Sequence, residues 1–345
     1  MKRVTLSGAV VSAVILASLV AMPFVFRANW VVNIAVFTMM YAGLATAWNL
    51  FSGYSGYLSL GNAAFFGVGA YAVANWFPTN GGPPGLTPFL VLPLIGVGAA
   101  ILSLPIAWVA FRTRGATFAI VTISLLFVAQ TLAFVLHSLT QGSSGMGVGV
   151  PRFPVETFER PFYLVLLAIF AFALFMCWYV RGAKLGLMLF AIRDDEDRAR
   201  GVGVNTEVAK LVTFAVTLGI TAMIGGVWAY YMTYIYPQFA FDPLVTIGMV
   251  LMVYLGGRGT LWGPFLGAAI LVPVQSQLAQ TAWTARWYLV LYSAVFLLVI
   301  LLLPRGIIPS IQDVVAGWRA RRGRGGTVEA PVAHAVVDAG GEAPR

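Results

Sequence analysis

Residues 28–111 read ANWVVNIAVFTMMYAGLATAWNLFSGYSGYLSLGNAAFFGVGAYAVANWFPTNGGPPGLTPFLVLPLIGVGAAILSLPIAWVAF and contain no Asp, Glu, Lys or Arg. A charged side chain at the centre of a spanning helix costs about 2.5 to 3.5 kcal/mol on insertion scales, so this stretch is typical of a chain that crosses a bilayer repeatedly. Turns rich in Gly and Pro, near Phe51 and Phe77, divide it into three spans of roughly 20 residues.

The rest of the chain has the same character. Of its 345 residues, 60% are apolar and only 10% are charged, whereas soluble domains carry about 25% charged residues. This composition excludes a water-soluble fold and predicts an all-α, polytopic transmembrane helix bundle. We predict about ten spans, at residues 5–26, 30–51, 58–77, 88–111, 115–137, 161–180, 211–236, 243–257, 261–282 and 287–303.

Basic residues predict the orientation of these spans. With both the N-terminus and the C-terminus in the cytoplasm, 17 of the 21 basic residues lie inside, as the positive-inside rule requires. The four that lie outside are Arg27, Arg152, Arg160 and Arg286. Two alternatives stay open: residues 5–26 as a cleaved signal peptide, and residues 243–257, which are short for a span, as a re-entrant segment.

The chain lacks the residues that several functional classes need. The phosphate-binding pattern G-x-x-x-x-G-K-[ST] is absent, because the three lysines follow Met1, Ala183 and Ala209. All twelve acids lie in loops, at span ends or in the tail, which argues against a proton relay within the bilayer, whereas sodium coupling stays open. With one Cys and two His that lie far apart in sequence, a metal site is not expected. The sequence also shows no convergent set of polar residues, so it does not predict an enzyme. The net charge of +9 indicates membrane orientation instead of nucleic-acid binding.

Three polar regions lie outside the predicted spans. Residues 138–160 form an external loop, residues 181–210 form the only substantial internal loop, and residues 311–345 form a cytoplasmic tail that is largely disordered by composition. We therefore divide the chain into a transmembrane domain, residues 1–310, and this tail.

The internal loop contains RDDEDRAR at residues 193–200, in which seven of the eight residues are ionised. The apolar lead LGLMLFAI and the glycines Gly201 and Gly203 predict one amphipathic helix that ends near those glycines. Such a helix is suited to docking in a groove of a soluble partner protein. The alternative is a solvated connector.

The run LGLMLFAIRDDEDRARGVGVNTEVAK resembles the cytoplasmic coupling loop of permease subunits in the branched-chain amino acid (Leu/Ile/Val) class of ABC importers. Three more segments agree in order and spacing: GYSGYLSLGNAAFFGVGAY at 53–71, VYLGGRGTLWGPFLGAAIL at 253–271 and LLLPRGIIP at 301–309. The likeness covers about residues 28–310 and is closer to the M-type subunit than to its H-type partner.

The resemblance implies a fold like that of type II ABC importers, a multi-pass location in the bacterial inner membrane, and a set of partners. These are a second permease subunit in a heterodimer, two cytoplasmic ATPase subunits that bind ATP and Mg, and a periplasmic substrate-binding protein; the chain itself holds no cofactor. Carried over position by position, the residues that would face the ATPase are Ala191, Ile192, Arg193, Asp194, Glu196, Gly203 and Asn205.

Two glycine-rich hairpins, at residues 53–69 and 256–267, form a weak internal repeat. Small residues at such spacing let helices approach closely, and this packing role accounts for most of the glycines. The functional alternative is that the two hairpins meet near the bilayer midplane and bound a translocation path. The candidate residues for that path are Gly56, Ser59, Asn62, Gly259 and Gly263.

The sequence therefore favours a non-catalytic permease subunit of an ABC importer. It would move branched-chain amino acids, or a related small amino acid or amide, inward with ATP hydrolysed by its partners. The alternatives are an ion-coupled secondary carrier or channel for a small polar solute, and a membrane enzyme.

Overall fold

The computed structural model describes residues 6–26, 29–81, 84–280 and 306–311, together with residues 287, 290, 293, 294 and 297. Within these residues two short strands, β1 (Met146–Gly147) and β2 (Tyr234–Ile235), accompany a set of α-helices. The α-helices are α1 (Leu6–Val25), α2 (Asn29–Trp48), α3 (Asn62–Trp76), α4 (Thr87–Ala110), α5 (Gly115–Val135), α6 (His137–Thr140), α7 (Glu159–Gly182), α8 (Lys184–Asp194), α9 (Glu196–Gly201), α10 (Thr206–Met232), α11 (Pro237–Ala240), α12 (Pro243–Gly256) and α13 (Gly263–Gln280).

The helices occupy the predicted spans. Helical backbone satisfies its own hydrogen bonds, which a segment surrounded by hydrocarbon requires. The last predicted span, residues 287–303, lies almost wholly outside the described residues, and so does the predicted tail, residues 311–345. Among the described residues, six helical stretches are long and apolar enough to cross a membrane: Asn29–Gly53, Thr87–Ala110, Gly115–Val135, Val155–Gly182, Thr206–Met232 and Pro237–Gly256.

The short segment predicted at residues 243–257 is α12. Its N-terminus is capped by Asp242, whose carboxylate accepts a hydrogen bond from the backbone nitrogen of Leu244 at 2.8 Å. With α11, which directly precedes it, α12 forms an apolar stretch of 20 residues. That is the length that a membrane span needs.

The long helix α10 lies at the centre of the bundle. It packs against α3 and α4, while α2 packs against α7 and α13. Glycines permit a close crossing of α3 and α10: a methyl group on Gly69 of α3 would meet the backbone of Ala222, and one on Gly225 of α10 would meet the backbone of Phe66. Small residues here let the two helix backbones touch, which confirms the packing interpretation for Gly69.

The connections lie at two opposite ends of the bundle. Residues 183–205, which we call the coupling segment, lie at the end of the bundle where α10 begins. We call this end of the bundle the coupling end. At the opposite end, β1 pairs antiparallel with β2, which follows α10. A bridge from Val148 to Pro78 fixes the same loop to the end of α3. The predicted loop 138–160 is therefore anchored at the opposite end by backbone hydrogen bonds.

Candidate functional site

The coupling segment forms two helices, and the prediction of a single helix over its charged run is wrong. α8 ends at Asp194 and α9 begins at Glu196, while Asp195 between them is extended. The Asp195 carboxylate accepts hydrogen bonds from the backbone nitrogens of Asp197 and Arg198, both at 3.0 Å. Asp195 is thus the N-cap of α9, and a helix start lies within the four consecutive acids.

The predicted end of this helical region is confirmed. α9 ends at Gly201, and Gly203 has a φ of +86°, a conformation that glycine adopts without steric cost. Asn205 then begins the next helix, because its Oδ1 accepts a hydrogen bond from the backbone nitrogen of Val208 at 3.1 Å. Asn205 therefore has a capping role on α10 in addition to its predicted contact role.

The predicted ATPase-facing residues point in two directions. Ile192 is buried, and Ala191 and Glu196 are half-buried against the bundle. The side chain of Val202 is 81% exposed and adds an apolar element to the outer surface. The remaining predicted residues are exposed at the coupling end, as a docking surface requires: Arg193, Asp194, Gly203 and Asn205.

Glu196 forms a buried ion pair with Lys210 of α10. Glu196 Oε1 lies 2.7 Å from Lys210 Nζ, and the side chains are 9% and 0% exposed. The same oxygen accepts a hydrogen bond from Arg200 Nη2 at 3.0 Å. Tyr57, from the turn that precedes α3, donates its hydroxyl proton to Glu196 Oε2. Every oxygen of this carboxylate is therefore satisfied, and three separate parts of the chain meet at one charge.

Aromatic rings surround the lysine. Lys210 Nζ lies 4.7 Å from the ring centroid of Tyr57 and 5.2 Å from that of Phe111. A cation over an aromatic face is stabilised by the ring quadrupole. Phe51, Phe118 and Phe214 complete the cluster, with Phe51 and Phe214 only 4.8 Å apart between centroids. The ammonium group is thus held in an apolar site at the coupling end of the bundle.

The environment of Glu196 also affects its ionisation. Burial raises the pKa of the Glu196 carboxyl, but the hydrogen bonds from Lys210 and Tyr57 and the positive charges of Lys210 and Arg200 outweigh burial and bring the pKa below its ordinary value. The lowered pKa keeps Glu196 in its carboxylate form at neutral pH.

Arg193 lies against the turns of both glycine-rich hairpins, residues 53–69 and 256–267, which we call the two glycine turns. A methyl group on Gly56 would lie 2.9 Å from Arg193 Cγ, and one on Gly259 would lie 3.4 Å from its Nη1. The two turns do come together, as the repeat predicted. They meet at the coupling end, beside Arg193, and not half-way along the helices, and Gly56 and Gly259 both have positive φ values there.

Asn49 joins the same two turns from within the bundle. Its Oδ1 accepts a hydrogen bond from the backbone nitrogen of Gly259, and its Nδ2 donates to the Thr260 carbonyl, both at 2.9 Å. Gly263 begins α13 beside them and touches the backbone of Gly256. The coupling end is therefore cross-linked by side-chain to backbone hydrogen bonds.

Ser59 and Asn62 are buried behind this turn. Ser59 Oγ donates to Asn62 Oδ1 at 2.6 Å, and the Ser59 carbonyl accepts from Trp48 Nε1 at 2.8 Å. Within the part of the chain that the structure describes, Asn62 Nδ2 has no hydrogen-bond partner. Asn62 thus carries an unused donor in the interior of the bundle.

A cavity of about 290 Å³ lies toward the opposite end of the bundle. It is formed by α2, α3, α10 and the α11 to α13 region, and its lining includes the polar side chains of Gln275 and Ser276 of α13. The apolar wall includes Phe37, Met40, Phe66, Trp228, Val245 and Val272.

Sequence reasoning missed Lys210, Tyr57 and Asn49. In the sequence, Lys210 fits the positive-inside rule as one of many basic residues on the cytoplasmic side. The available signal was its position inside the apolar run AKLVTFAV, because an ionisable residue in a spanning helix needs a partner. Glu207 is the nearest acid in sequence, but the partner that the fold supplies is Glu196, 14 residues earlier.

Comparison with known proteins gives consistent matches. The sequence profile of the family described as Branched-chain amino acid transport system / permease component matches residues 30–300. LivM of Escherichia coli (strain K12), a high-affinity branched-chain amino acid transport system permease protein, is 27% identical over 318 residues, covering 84% of this chain and 72% of the relative. LivM of Salmonella typhimurium is 26% identical with the same coverage.

A second group of relatives is more local. The autoinducer 2 import system permease protein LsrC of Salmonella paratyphi B is 31% identical over 144 residues, covering 39% of this chain and 41% of the relative. The comparison with solved structures found no match. The family profile takes in the coupling segment, both glycine turns and Lys210. Because that match spans most of the chain, this protein belongs to the family of permease components of branched-chain amino acid transport systems.

Proposed function

We propose that the chain is the membrane-spanning subunit of an ATP-driven importer that carries branched-chain amino acids, or a related small amino acid or amide, across the bacterial inner membrane. Two cytoplasmic ATPase subunits bind ATP and Mg, a second permease subunit completes the transmembrane unit, and a periplasmic binding protein delivers the solute. Family membership supports the transport role, and the names of the LivM relatives support the solute class.

The proposal includes about ten spans with both termini in the cytoplasm. In this orientation the coupling end faces the cytoplasm and the loop 138–160 faces outward. The asymmetric distribution of the 21 basic residues supports it.

The observation that carries the proposal is the buried ion pair of Glu196 and Lys210. Glu196 belongs to α9, whose outer surface is exposed, and Lys210 belongs to α10, the central helix. Separating the pair would leave a charge unpaired in an apolar site, which is strongly unfavourable. A partner that moves α9 therefore also moves α10, whereas a solvated connector needs no such link.

The cavity toward the opposite end is the proposed entry for the solute. Its aromatic and aliphatic wall suits the side chain of a branched-chain amino acid, and Gln275 and Ser276 offer uncharged hydrogen-bonding groups for the polar end. Asn62, with its unused amide donor, lies on α3 nearer to the coupling end. We propose that Gly56, Ser59, Asn62, Gly259 and Gly263 bound the inner part of the same path.

A matched pair of variants tests the entry site. Val245→Trp places a large ring in the cavity, whereas Leu244→Trp places it on a neighbouring side chain that is 50% exposed and outside the cavity. We expect Val245→Trp to abolish solute uptake by the assembled transporter and Leu244→Trp to retain it. Equal uptake by both variants would contradict the entry site without affecting the proposed ATP dependence.

A different small polar solute is the second candidate for the cargo. The name of the LsrC relatives favours it, since those proteins are described as import permeases for autoinducer 2. An ion-coupled secondary carrier is the alternative to the ATP-driven mechanism.

Co-purification and reconstitution test the proposed function directly. We expect the chain extracted from its native membrane to bring with it a second permease and an ATPase that mass spectrometry identifies. In proteoliposomes the complex should accumulate leucine, isoleucine or valine only with ATP and the binding protein, and the chain alone should not accumulate them. Gradient-driven uptake by the chain alone would establish the carrier alternative instead.

A further inference from the structure

A polar groove of about 380 Å³ opens at the coupling end beside the coupling segment. One side is the connection between α4 and α5, and the other is formed by α9 and the beginning of α10. The lining contains three arginines and one acid, with an apolar floor: Arg112, Arg114, Arg200, Glu207, Trp108 and Leu211. The groove is therefore positively charged on balance and is not part of the proposed solute path.

The three arginines differ in how far they are neutralised. Arg114 pairs with Asp197 at 2.7 Å, and Arg200 pairs with Glu196 at 3.0 Å. In the described part of the chain Arg112 has no carboxylate within ion-pair distance, and its guanidinium carbon lies 4.3 Å from the ring centroid of Trp108. Arg112 thus presents its hydrogen-bond donors to the groove while its plane packs on an aromatic ring.

The apolar outer face of α4 leads directly to this groove. Ile101, Val109 and Trp108 of α4 are 62%, 58% and 53% exposed, and α4 ends at Ala110. An exposed apolar helix face contacts lipid chains, and Trp side chains favour the level of the lipid headgroups. The groove therefore lies where the headgroup of a lipid would be when its chains cover α4.

We propose that this groove binds the phosphate of an anionic phospholipid in the leaflet at the coupling end. Arg112 makes the primary contact, because a guanidinium forms short, charge-assisted hydrogen bonds with phosphate oxygens. Arg114 and Arg200 add positive potential, and Leu211 and Trp108 contact the first carbons of the chains. Soluble phosphate shares the headgroup chemistry, but the apolar floor and the adjoining α4 face fit a lipid. The inference does not depend on the ATPase partners.

The test uses the full-length chain in detergent with equal amounts of phosphatidylglycerol and phosphatidylcholine, and bound lipid is counted by native mass spectrometry. We expect wild type to retain phosphatidylglycerol and Arg112→Gln to bind it about fivefold more weakly, in line with what one arginine contributes near an anionic lipid surface. Arg112→Lys should be intermediate. The matched control is Arg198→Gln, which removes the same charge from a side chain that is 88% exposed and outside the groove.

Three outcomes would overturn the proposal. The first is equal binding of the two lipids by wild type, and the second is an equal loss in Arg112→Gln and Arg198→Gln, which would indicate bulk charge attraction. The third is displacement of the lipid by glycerol phosphate at an equal concentration, which would assign the groove to a soluble phosphate. Circular dichroism of Arg112→Gln checks that the helices are intact, so a loss of binding is attributable to the groove.

Discussion

Asn49 accepts a hydrogen bond from the backbone nitrogen of Gly259, which lies 210 residues further along the chain. Asn49 is fully buried in the π-helical turn Asn49–Gly53 that follows α2. Its amide nitrogen donates to the carbonyl of Thr260 at the same time. One side chain therefore sets the distance between the two glycine turns, and the coupling segment rests on both through Arg193.

Replacing Asn49 should loosen this junction. Asn49→Ala leaves the half-buried backbone nitrogen of Gly259 and carbonyl of Thr260 without their partner. Full burial of such a group would cost about 1 to 3 kcal/mol, which is the upper bound for each. We expect a clear fall in the thermal unfolding temperature, measured in lipid nanodiscs. Asn75→Ala is the control, because Asn75 also makes two hydrogen bonds to the backbone, donating to the carbonyls of Tyr71 and Leu139 at 2.8 and 2.9 Å, but is exposed to solvent. A loss of the same size in both variants would contradict the structural role of Asn49.

Two glycines separate backbone strain from contact with Arg193. Gly56 and Gly203 have nearly equal φ values, +84° and +86°, so alanine at either position should cost about 1 to 2 kcal/mol in strain. Only at Gly56 does the added methyl group lie within 2.9 Å of Arg193; at Gly203 it meets no atom within 4 Å. We expect Gly56→Ala to lower the unfolding temperature further and to reduce transport-coupled ATP hydrolysis in the assembled complex. Equal effects would show that the Arg193 contact is unimportant.

The ion pair can be removed as a unit. Glu196→Gln should be strongly destabilising, by about 3 to 5 kcal/mol, because it leaves the fully buried Lys210 ammonium without a counter-charge. Adding Lys210→Met should restore most of the stability, since two buried charges are then replaced together. Thermal unfolding of the single and double variants measures this recovery.

Transport per ATP hydrolysed gives the second measurement on the same variants. If the pair transmits motion from α9 to α10, the double variant should be stable but should hydrolyse ATP without transporting solute. Glu207→Gln is the control, because this glutamate is 66% exposed and lies 4.0 Å from Arg200. A wild-type ratio of transport to ATP hydrolysis in the double variant would show that the pair stabilises the fold but does not transmit motion.

Acidification should weaken the same junction. The folded-state pKa of Glu196 lies below the value of 4.5 for a free glutamate, so its ionisation stabilises the fold above about pH 4.5 and this contribution is lost as the pH falls through the folded-state pKa. The charged and titratable groups that face it are Lys210, Arg200 and Tyr57. We expect the difference in unfolding temperature between wild type and Glu196→Gln to be largest at neutral pH and to narrow below pH 4.5. A constant difference across this range would contradict the assignment.

Reporter insertions check the orientation. Val155 is 85% exposed in the loop 138–160, and Val202 is 81% exposed in the coupling segment, so both sites accept an insertion without disturbing buried contacts. Alkaline phosphatase, which is active only outside the cytoplasm, should be active when inserted at Val155 and inactive at Val202. The reverse pattern would invert the proposed topology.

The helical architecture was predictable because it depends on local composition. Uninterrupted apolar runs require helices in a bilayer, and α9 ends at Gly201, just before the positive φ of Gly203, as the positions of these glycines predicted. The break at Asp195 was not predicted, because Asp favours both the first turn of a helix and the position that caps it. Four acids in a row do not reveal which of them is the cap.

Contacts between distant segments explain the rest of what was missed. Lys210 obeys the positive-inside rule as a lone residue, and only the fold brings Glu196 and Tyr57 to within hydrogen-bond distance of it. Asn49 likewise gains its role from a turn that is far away in sequence. The ATPase contacts remain predictions, since their partner surface belongs to another chain; the residues concerned are Ala191, Ile192, Arg193, Asp194, Glu196, Gly203 and Asn205.

The complete burial of Lys210 gives the protein an internal chemical reporter. The chain has three lysines, of which Lys184 is exposed at the start of α8 and Lys210 has no solvent-accessible side chain. An amine-reactive reagent should therefore acylate Lys184 rapidly and spare Lys210 for as long as the coupling end stays closed. The ratio of the two modifications, read by peptide mass spectrometry at successive stages of nucleotide binding and release, would record when solvent first reaches the buried Lys210 site at the coupling end, without any engineered probe.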